Sequence, residues 1–410
     1  MTKLENVLVF AGTDDEKYVD DVCTLLDLER GKLESRYHSD SDPYFRILER
    51  DVGGKDVYFI SRFHNNTLHN LMEMLNFANA ALHEGAHSVN VFETYLGCSR
   101  QERKSKPGEA VTLQVKANCI MTNGINTFST FTAHSDATIL AFDPSRTRFM
   151  NFQLWPPLIR VISKIAGEEV LIKPVAPDAG AAKPVREILN STTVQQDERF
   201  VKDLALVDKD RVHQNKGKSK SGALIGDVTG VIAALFDDES VTAGSMCDAA
   251  KICRENGSIG TYVNLAHAKF MMNEIGTDLF KNALEQGIID RLIMTNSCYL
   301  PPDLYEILGL HKDSEKLIVI PTQPLVAEFI RRSAENKGVP YLFSSRGVLG
   351  PYENIANRVK FAERRERDED YEKRFKSELK LYKRLAEPVL GPYKPMVRSH
   401  RKLTESSDEC

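Results

Sequence analysis

An apolar run, Gly230-Val231-Ile232-Ala233-Ala234-Leu235-Phe236, ends in the paired carboxylates of Asp237 and Asp238. After Glu239 and Ser240 comes a stretch of small residues, Val241-Thr242-Ala243-Gly244-Ser245. The run predicts a buried strand, and the residues from about Ala243 to Glu255 predict a helix. Ligands of open α/β sheets bind at the carboxyl ends of strands. A Thr-Ala-Gly-Ser loop lets the backbone approach a ligand closely. Its free N–H groups, its hydroxyls and the helix N-terminus suit a phosphate. Asp237 and Asp238 are placed to accept hydrogen bonds from sugar hydroxyls. A plain turn with a Ser/Thr cap would explain the loop alone. Two carboxylates at a strand end serve packing poorly, so they favour the binding reading.

Other spacings imitate chemistry. His83-Glu84-Gly85-Ala86-His87 has the form His-Glu-x-x-His, which binds zinc when one helix face carries both histidines. Here Gly85 stands where a helix should end, and the strand Ser88-Val89-Asn90-Val91-Phe92 starts directly after it. No third ligand is apparent, so zinc is not expected. Gly217-Lys218-Ser219 looks like the end of a phosphate-binding P-loop, but Val212 occupies the place of its first glycine. His267, in Ala266-His267-Ala268, ends a strand and is read equally as a structural or a site histidine.

The elements that must position these residues follow from the rest of the chain. With 410 residues, 42% of them hydrophobic, the chain has apolar material for more than one core. Lys+Arg is 54 and Asp+Glu is 58, a net charge of -4, which argues against a dedicated nucleic-acid binder. No apolar run is long enough for a membrane span, and the N-terminus lacks the layout of a signal peptide. The 7 cysteines contain no Cys-x-x-Cys and fit reduced thiols in a cytoplasmic protein. Strands are expected at 7–10, 56–61, 88–92, 230–236, 261–265, 291–295 and 316–320, with a helix from about Asn66 to Leu82. Apolar strands separated by helices predict parallel sheets. The expected division is an α/β domain over 1–160, a second over 161–346 and a charged helical extension with a polar tail over 347–410. The stretch from Lys209 to Ser221 reads as a loop, and 360–387 as one long amphipathic helix.

The stretch from Phe236 to Ser245 resembles the phosphoribosyl-pyrophosphate fingerprint shared by type I phosphoribosyltransferases and phosphoribosyl pyrophosphate synthetases. Tyr95-Leu96-Gly97-Cys98-Ser99-Arg100-Gln101-Glu102-Arg103-Lys104-Ser105-Lys106-Pro107 is similar to the synthetases' ATP segment. Ala176-Pro177-Asp178-Ala179-Gly180-Ala181-Ala182-Lys183 is similar to their Ser-Pro-Asp-x-Gly-Gly block. Val207-Asp208-Lys209-Asp210-Arg211 stands where they carry a catalytic Lys-x-Arg loop. Gly54 to Tyr58, Asn70 to Leu75, Ile225 to Val228 and Met294 to Asn296 match in the same order. On these blocks the chain is identified as a divergent member of the synthetase family over residues 5–346.

The resemblance implies a fold of two doubly wound parallel-sheet domains of the type I phosphoribosyltransferase kind, followed by a C-terminal helical extension. It implies transfer of the β,γ-diphosphate of ATP to the anomeric hydroxyl of ribose 5-phosphate, with release of AMP and Mg²⁺ as cofactor. Carried onto this chain, the catalytic residues are Lys209, Arg211 and His134. ATP falls to Arg100, Gln101, Arg103, Lys104 and Lys106, together with His38, Asp40 and Asp42. The sugar phosphate falls to Asp178, Asp237, Asp238, Thr242, Ala243, Gly244 and Ser245, and the metal to His134, Asp143 and Asp178. The family also implies a homo-oligomer, in its usual form a hexamer, whose adenine pocket is completed by a neighbouring subunit. The residue types suit the charges involved. Arginine forks bind phosphates in a bidentate way, and cations on a closing loop meet charge that develops during phosphoryl transfer.

The chain departs from the family at several of these places. Thr132, in Phe131-Thr132-Ala133-His134, replaces an Asp, Ser105 replaces another, and Val241 replaces a third. His38, Asp40 and Asp42 stand where the family has Phe, Asn and Glu, and the stretch from His213 to Lys220 is rebuilt. These changes bear on metal stoichiometry, adenine recognition and the acceptor. Fewer carboxylates tolerate an acceptor with more negative charge, such as ADP-ribose. The alternatives are therefore the same transfer to a larger ribose acceptor, and a non-catalytic subunit of a synthetase. A phosphoribosyltransferase would not need the ATP segment.

Overall fold

The computed structural model describes residues 4–49, 51–64, 66–208, 223–339, 345–364 and 371–393. The first half carries strands β1 (Val7–Ala11), β2 (Leu33–Tyr37), β3 (Pro43–Ile47), β4 (Asp56–Ser61), β5 (Ser88–Tyr95), β6 (Thr127–Phe131) and β7 (Arg148–Phe152). β2 and β3 form a separate antiparallel hairpin, and the others form a parallel sheet in the order β1-β4-β5-β6-β7. Strand order there follows chain order without reversal. The period of two along β4 sends Val57 and Phe59 to one face and Tyr58 and Ile60 to the other, where separate apolar clusters receive them.

The second half carries β8 (Ile172–Ala176), β9 (Ala205–Asp208), β10 (Ala223–Ile225), β11 (Ile232–Glu239), β12 (Gly260–His267), β13 (Arg291–Thr295) and β14 (Leu317–Ile320). Their order is β10-β9-β8-β11-β12-β13-β14, parallel except for the β9–β10 pair. The chain leaves β8 in one direction and returns to β11 on its other side. This reversal is the doubly wound signature, and the crevice at the carboxyl ends of β8 and β11 is where such sheets bind ligands. Asp178 follows β8, and Asp237 and Asp238 lie within the last turn of pleat of β11, so the strand extends past the point expected from its apolar run.

The facing sides of the two sheets share one continuous apolar cluster. It holds Tyr58, Ile60, Phe92 and Phe131 from the first sheet and Ile172, Ile232, Phe236 and Ile293 from the second. Helix Trp155–Ile165, which joins the halves, contributes Leu158, Ile159 and Ile162 to the same cluster.

The charged C-terminal stretch differs from the single helix expected. Helices Ser345–Arg364 and Tyr371–Leu385 pack against each other, and Arg358 on the first binds Glu378 on the second through Nε at 3.0 Å. Ile355 of the first and Leu381, Tyr382 and Leu385 of the second all enter the shared core, which one straight helix of that length would not allow. The Tyr352 hydroxyl, fully buried, donates to the Pro321 carbonyl at 2.7 Å, and Arg384 pairs with Asp21 at 2.5 Å. The extension is therefore built into the body of the protein.

One ion pair lies inside the first half. Lys116, on helix Thr112–Thr122, reaches Glu93 of β5 at 2.5 Å, and the two side chains are 1% and 2% exposed. Glu93 also accepts the backbone N–H of Gly97, which opens the segment leading to Arg100. Removing one partner leaves a buried charge alone, whereas removing both leaves an apolar site. Lys116→Met is expected to cost about 3–5 kcal/mol of unfolding free energy, and Glu93→Leu with Lys116→Met much less. Denaturant titration checks this, and equal losses in the single and double variants would refute it.

Candidate active site

A cleft of about 650 Å³ opens between the halves at the strand-order reversal. It is lined by Arg100 and Arg103 from the segment after β5, by Thr132, Ala133 and His134 after β6, and by Gln153 and Trp155 after β7. The second half supplies Asp178 and Lys183 after β8, and Asp237, Asp238 and Glu239 with the loop residues Val241, Thr242, Ala243 and Ser245.

The loop after β11 has the geometry of an anion cradle. Ala243 has φ 60°, a left-handed conformation unusual for a residue with a Cβ. It turns the chain into helix Gly244–Glu255, whose N-terminus has no side-chain cap. The dipole of that helix favours an anion at its N-terminus. Gly276 lets a second helix approach: a Cβ at that position would lie 2.4 Å from the Val241 carbonyl oxygen.

The carboxylates beside the loop are unequal. The Asp237 carboxyl is held well above the usual carboxylate range by burial and by the neighbouring Asp238 and Asp178. Burial also pushes Asp238 up, but its hydrogen bond and charge pairing with His134 prevail and leave it below the ordinary value. His134 Nδ1 lies 2.7 Å from Asp238 Oδ2, and this hydrogen bond raises the histidine above its usual value. The pair joins the first half to the second directly across the cleft.

Glu239 is the residue that spacing did not single out. Its Oε1 pairs with Arg100 Nε at 2.9 Å, and its Oε2 accepts from the Tyr95 hydroxyl at 2.7 Å and pairs with Lys269 at 3.2 Å. Tyr95 and Glu239 are 144 positions apart, so no local pattern announces the contact. Lys183 closes the block that begins at Ala176. It pairs with Asp136 across the mouth of the cleft at 2.5 Å.

Several expected site residues lie elsewhere. Gln101 faces Thr112, whose hydroxyl donates to its side-chain oxygen, and its carbonyl accepts from Leu113 N–H, so it fixes a turn and does not line the cleft. Lys104 and Lys106 are exposed and also absent from the lining; Glu109 holds the backbone there by accepting from Ser105 and Lys106 N–H. Asp143 accepts from the N–H and hydroxyl of Ser145, contacts that lower its carboxyl, and it does not line the cleft beside His134 and Asp178. His38, Asp40 and Asp42 sit at the exposed tip of the β2–β3 hairpin, away from this cleft. Gly244 opens the helix beneath the loop. Lys209 and Arg211, with the stretch from His213 to Lys220, lie outside the described residues.

His267 is structural. It is buried, and burial lowers its tendency to protonate. Its Nε2 donates to the Phe131 and Thr132 carbonyls at 3.1 and 3.2 Å, and Nδ1 lies 2.8 Å from the Ser297 hydroxyl. The His-Glu-x-x-His spacing is broken: the helix Thr67–His83 stops at its first histidine and Gly85 turns with φ 78°. Among the described residues no group of three or more His, Cys, Asp or Glu is gathered as a metal cage.

Architecturally this is a two-sheet parallel α/β protein with its cleft at the reversal point of the second sheet. Residues 7–124 match the N-terminal domain of ribose phosphate pyrophosphokinase, and residues 185–344 match the phosphoribosyl synthetase-associated domain. The ribose-phosphate pyrophosphokinase of Fusobacterium nucleatum is 29% identical over 346 residues, covering 84% of this chain and 100% of that protein. Chloroplastic ribose-phosphate pyrophosphokinase 2 of Oryza sativa subsp. japonica is 28% identical over 337 residues, covering 82% of this chain and 77% of its own. The crystal structure of phosphoribosylpyrophosphate synthetase from Mycobacterium smegmatis superposes with a TM-score of 0.68 at 21% identity, over 81% of this chain and 99% of that one. The chain belongs to the ribose-phosphate pyrophosphokinase family.

The His134–Asp238 pair has a pH signature. Because the folded histidine is raised, its contribution to stability is complete below the unfolded value of about 6.5 and is lost as pH rises through the folded value. In divalent-free buffer, His134 is expected to titrate above about 6.5, and Asp238→Asn to lower that midpoint. Proton NMR of the imidazole reads both; an unchanged midpoint in the variant would refute the pairing.

Proposed function

We propose that the protein is a diphosphokinase that transfers the β,γ-diphosphate of ATP to the anomeric hydroxyl of ribose 5-phosphate, yielding phosphoribosyl pyrophosphate and AMP. The observation that carries this reading is the single cleft that brings Arg100 and Arg103 to face Asp237, Asp238 and the uncapped helix after Ala243. A donor triphosphate and an acceptor sugar phosphate thereby have adjoining places. Arg100 and Arg103 bind donor phosphates, the loop from Val241 to Ser245 holds the acceptor's 5-phosphate, and Asp237 and Asp238 accept from its ring hydroxyls. This orientation aims the anomeric hydroxyl at the donor, and positioning is the larger part of catalysis in phosphoryl transfer.

Mg²⁺ fits the donor set. The cleft wall holds several carboxylates, and their mutual repulsion is visible in the raised Asp237. This ion takes one or two carboxylates and completes its shell with phosphate oxygens and water, so no all-protein cage is required. Asp178 and His134 would hold it. When bound it neutralises charge on the transferring phosphates. Lys209 and Arg211 are assigned the same task at the reacting phosphorus, by family resemblance alone.

ADP-ribose is the second acceptor to consider. The observations favouring it are the hydroxyl of Thr132, engaged by Leu154 N–H, in the place of a family carboxylate, and two buried acceptors in the cleft wall. Glu102 Oε2 and Gln153 Oε1 have no donor among the described residues and call for hydrogen-bond donors from a ligand. The exposed hairpin tip carrying His38, Asp40 and Asp42 supports a homo-oligomer in which it reaches a neighbour's donor site, as in the family's hexamers.

Incubation with ATP, Mg²⁺ and either ribose 5-phosphate or ADP-ribose, with AMP measured, tests the reading. AMP formation dependent on ribose 5-phosphate is expected. AMP only with ADP-ribose would move the acceptor, and none with either would leave a non-catalytic subunit. Lys209→Ala is expected to lower turnover at least about a hundredfold with the fold retained, and near-normal turnover would remove its role.

A further inference from the structure

Arg100 occupies the cleft wall with its side chain 62% exposed, and its guanidinium is paired with a carboxylate of the other half. Glu239, only 7% exposed, takes its Nε at 2.9 Å. Among the described residues no other carboxylate pairs with Arg100, which lines the cleft. An arginine has more N–H donors than one carboxylate engages, and those that remain can bind a phosphate in a bidentate way. Glu239 is itself braced from behind. Lys269 lies 4.3 Å over the Tyr95 ring and 4.9 Å over the Phe63 ring, and its ammonium donates to the Tyr95 hydroxyl at 2.8 Å. That hydroxyl donates in turn to Glu239 Oε2.

The connectivity matters as much as the distances. Tyr95 and Arg100 belong to the donor segment of the first half. Glu239 ends β11, two positions before the acceptor loop that starts at Val241. Two cations, Arg100 from the first half and Lys269 from the second, stand against the one carboxylate of Glu239. Displacing the acceptor loop would move Glu239, and with it the plane of the Arg100 guanidinium.

We propose that Glu239 is a positioning residue that sets Arg100 for the donor triphosphate and couples donor binding to occupancy of the acceptor loop. The proposal rests on the functional reading above and adds a residue to it. It predicts synergy: acceptor on the loop steadies Glu239 and tightens the donor site, and by linkage the donor tightens the acceptor.

The test uses the full chain, Mg²⁺ and α,β-methylene-ATP as a donor that cannot react, with binding measured by calorimetry in the presence and absence of ribose 5-phosphate. Glu239→Gln is expected to weaken the analogue by about tenfold and to abolish its tightening by ribose 5-phosphate. Arg100→Ala added to Glu239→Gln should cost much less than Arg100→Ala alone. In turnover assays the loss should fall on KM for ATP more than on kcat. A lowered melting temperature with unchanged analogue affinity would reduce Glu239 to a structural staple and overturn the proposal, as would independent, multiplying effects of the two substitutions. If Glu239→Gln does not fold, Tyr95→Phe keeps the ring packing, removes one hydrogen bond to the carboxylate and is read by the same criteria. Absence of AMP formation with retained, acceptor-sensitive analogue binding would sink only the reaction assigned above; absence of analogue binding in the unaltered chain would sink both.

Discussion

His267 closes the seam between the two sheets, and the cleft depends on that seam. Its Nε2–H is shared by the Phe131 and Thr132 carbonyls of the first half, and its Nδ1 takes the Ser297 hydroxyl of the second. Carbonyls only accept, so the proton must sit on Nε2, and burial keeps the ring neutral. Further bonds cross the same seam. The Thr94 hydroxyl donates to the Ser297 carbonyl, Tyr299 N–H donates to the Phe63 carbonyl, and the Tyr18 and Thr322 hydroxyls lie 2.7 Å apart. A buried polar group that loses its partner keeps its full desolvation cost. The two halves are consequently fastened by bonds that water does not replace cheaply, and the donor and acceptor walls keep a defined spacing.

Thr132 shows what this fastening sustains. It is β-branched and has φ 35°, a conformation such residues avoid. Four contacts hold it there: its N–H donates to the Phe152 carbonyl, its hydroxyl accepts from Leu154 N–H, its carbonyl accepts from His267, and Asn151 holds the next N–H along. Strain of this kind persists only where the surroundings over-determine it. The consequence is the placement of His134, two residues on, against Asp238 of the other half.

Charge in the cleft follows a related logic. The strand end concentrates carboxylates, and each is managed differently. Asp238 is matched by His134, Glu239 by Arg100 and Lys269, and Asp237 is left raised and, among the described residues, without a cation of its own. The unmatched one lies beside the loop with the uncapped helix, where an incoming sugar hydroxyl or hydrated divalent ion would relieve it. Carboxylates outnumber cations on the second half's wall, the first half brings Arg100, Arg103 and His134, and the histidine and arginine bridges run between the two walls.

Local pattern was enough for seven of the fourteen described strands, whereas those at Leu33–Tyr37, Pro43–Ile47, Thr127–Phe131, Arg148–Phe152, Ile172–Ala176, Ala205–Asp208 and Ala223–Ile225 did not stand out. Apolar runs such as Val7 to Phe10 and Arg291 to Thr295 bury both faces, and a buried parallel strand announces itself without reference to its neighbours. The turn from Val241 to Ser245 is likewise legible, because small residues between a strand and a helix shape their own backbone. Glu84 and Gly85 ended the helix that a zinc site would have needed, again a local matter. What sequence could not decide was partnership across the seam. Glu239 reads as one more acid in an acidic run until Tyr95, Arg100 and Lys269 are brought to it from distant strands. Asp143 and Gln101 carry side chains suited to a site, and the structure engages them in short-range hydrogen bonds with Ser145 and Thr112 outside the cleft lining, contacts that no spacing in the sequence announces. The charged C-terminal stretch read as one helix because periodicity is blind to where the chain must double back to reach a core. Backbone form is set by nearest neighbours and shows in the sequence, whereas the pairing of charged side chains depends on which strand ends the packing of the two sheets brings face to face.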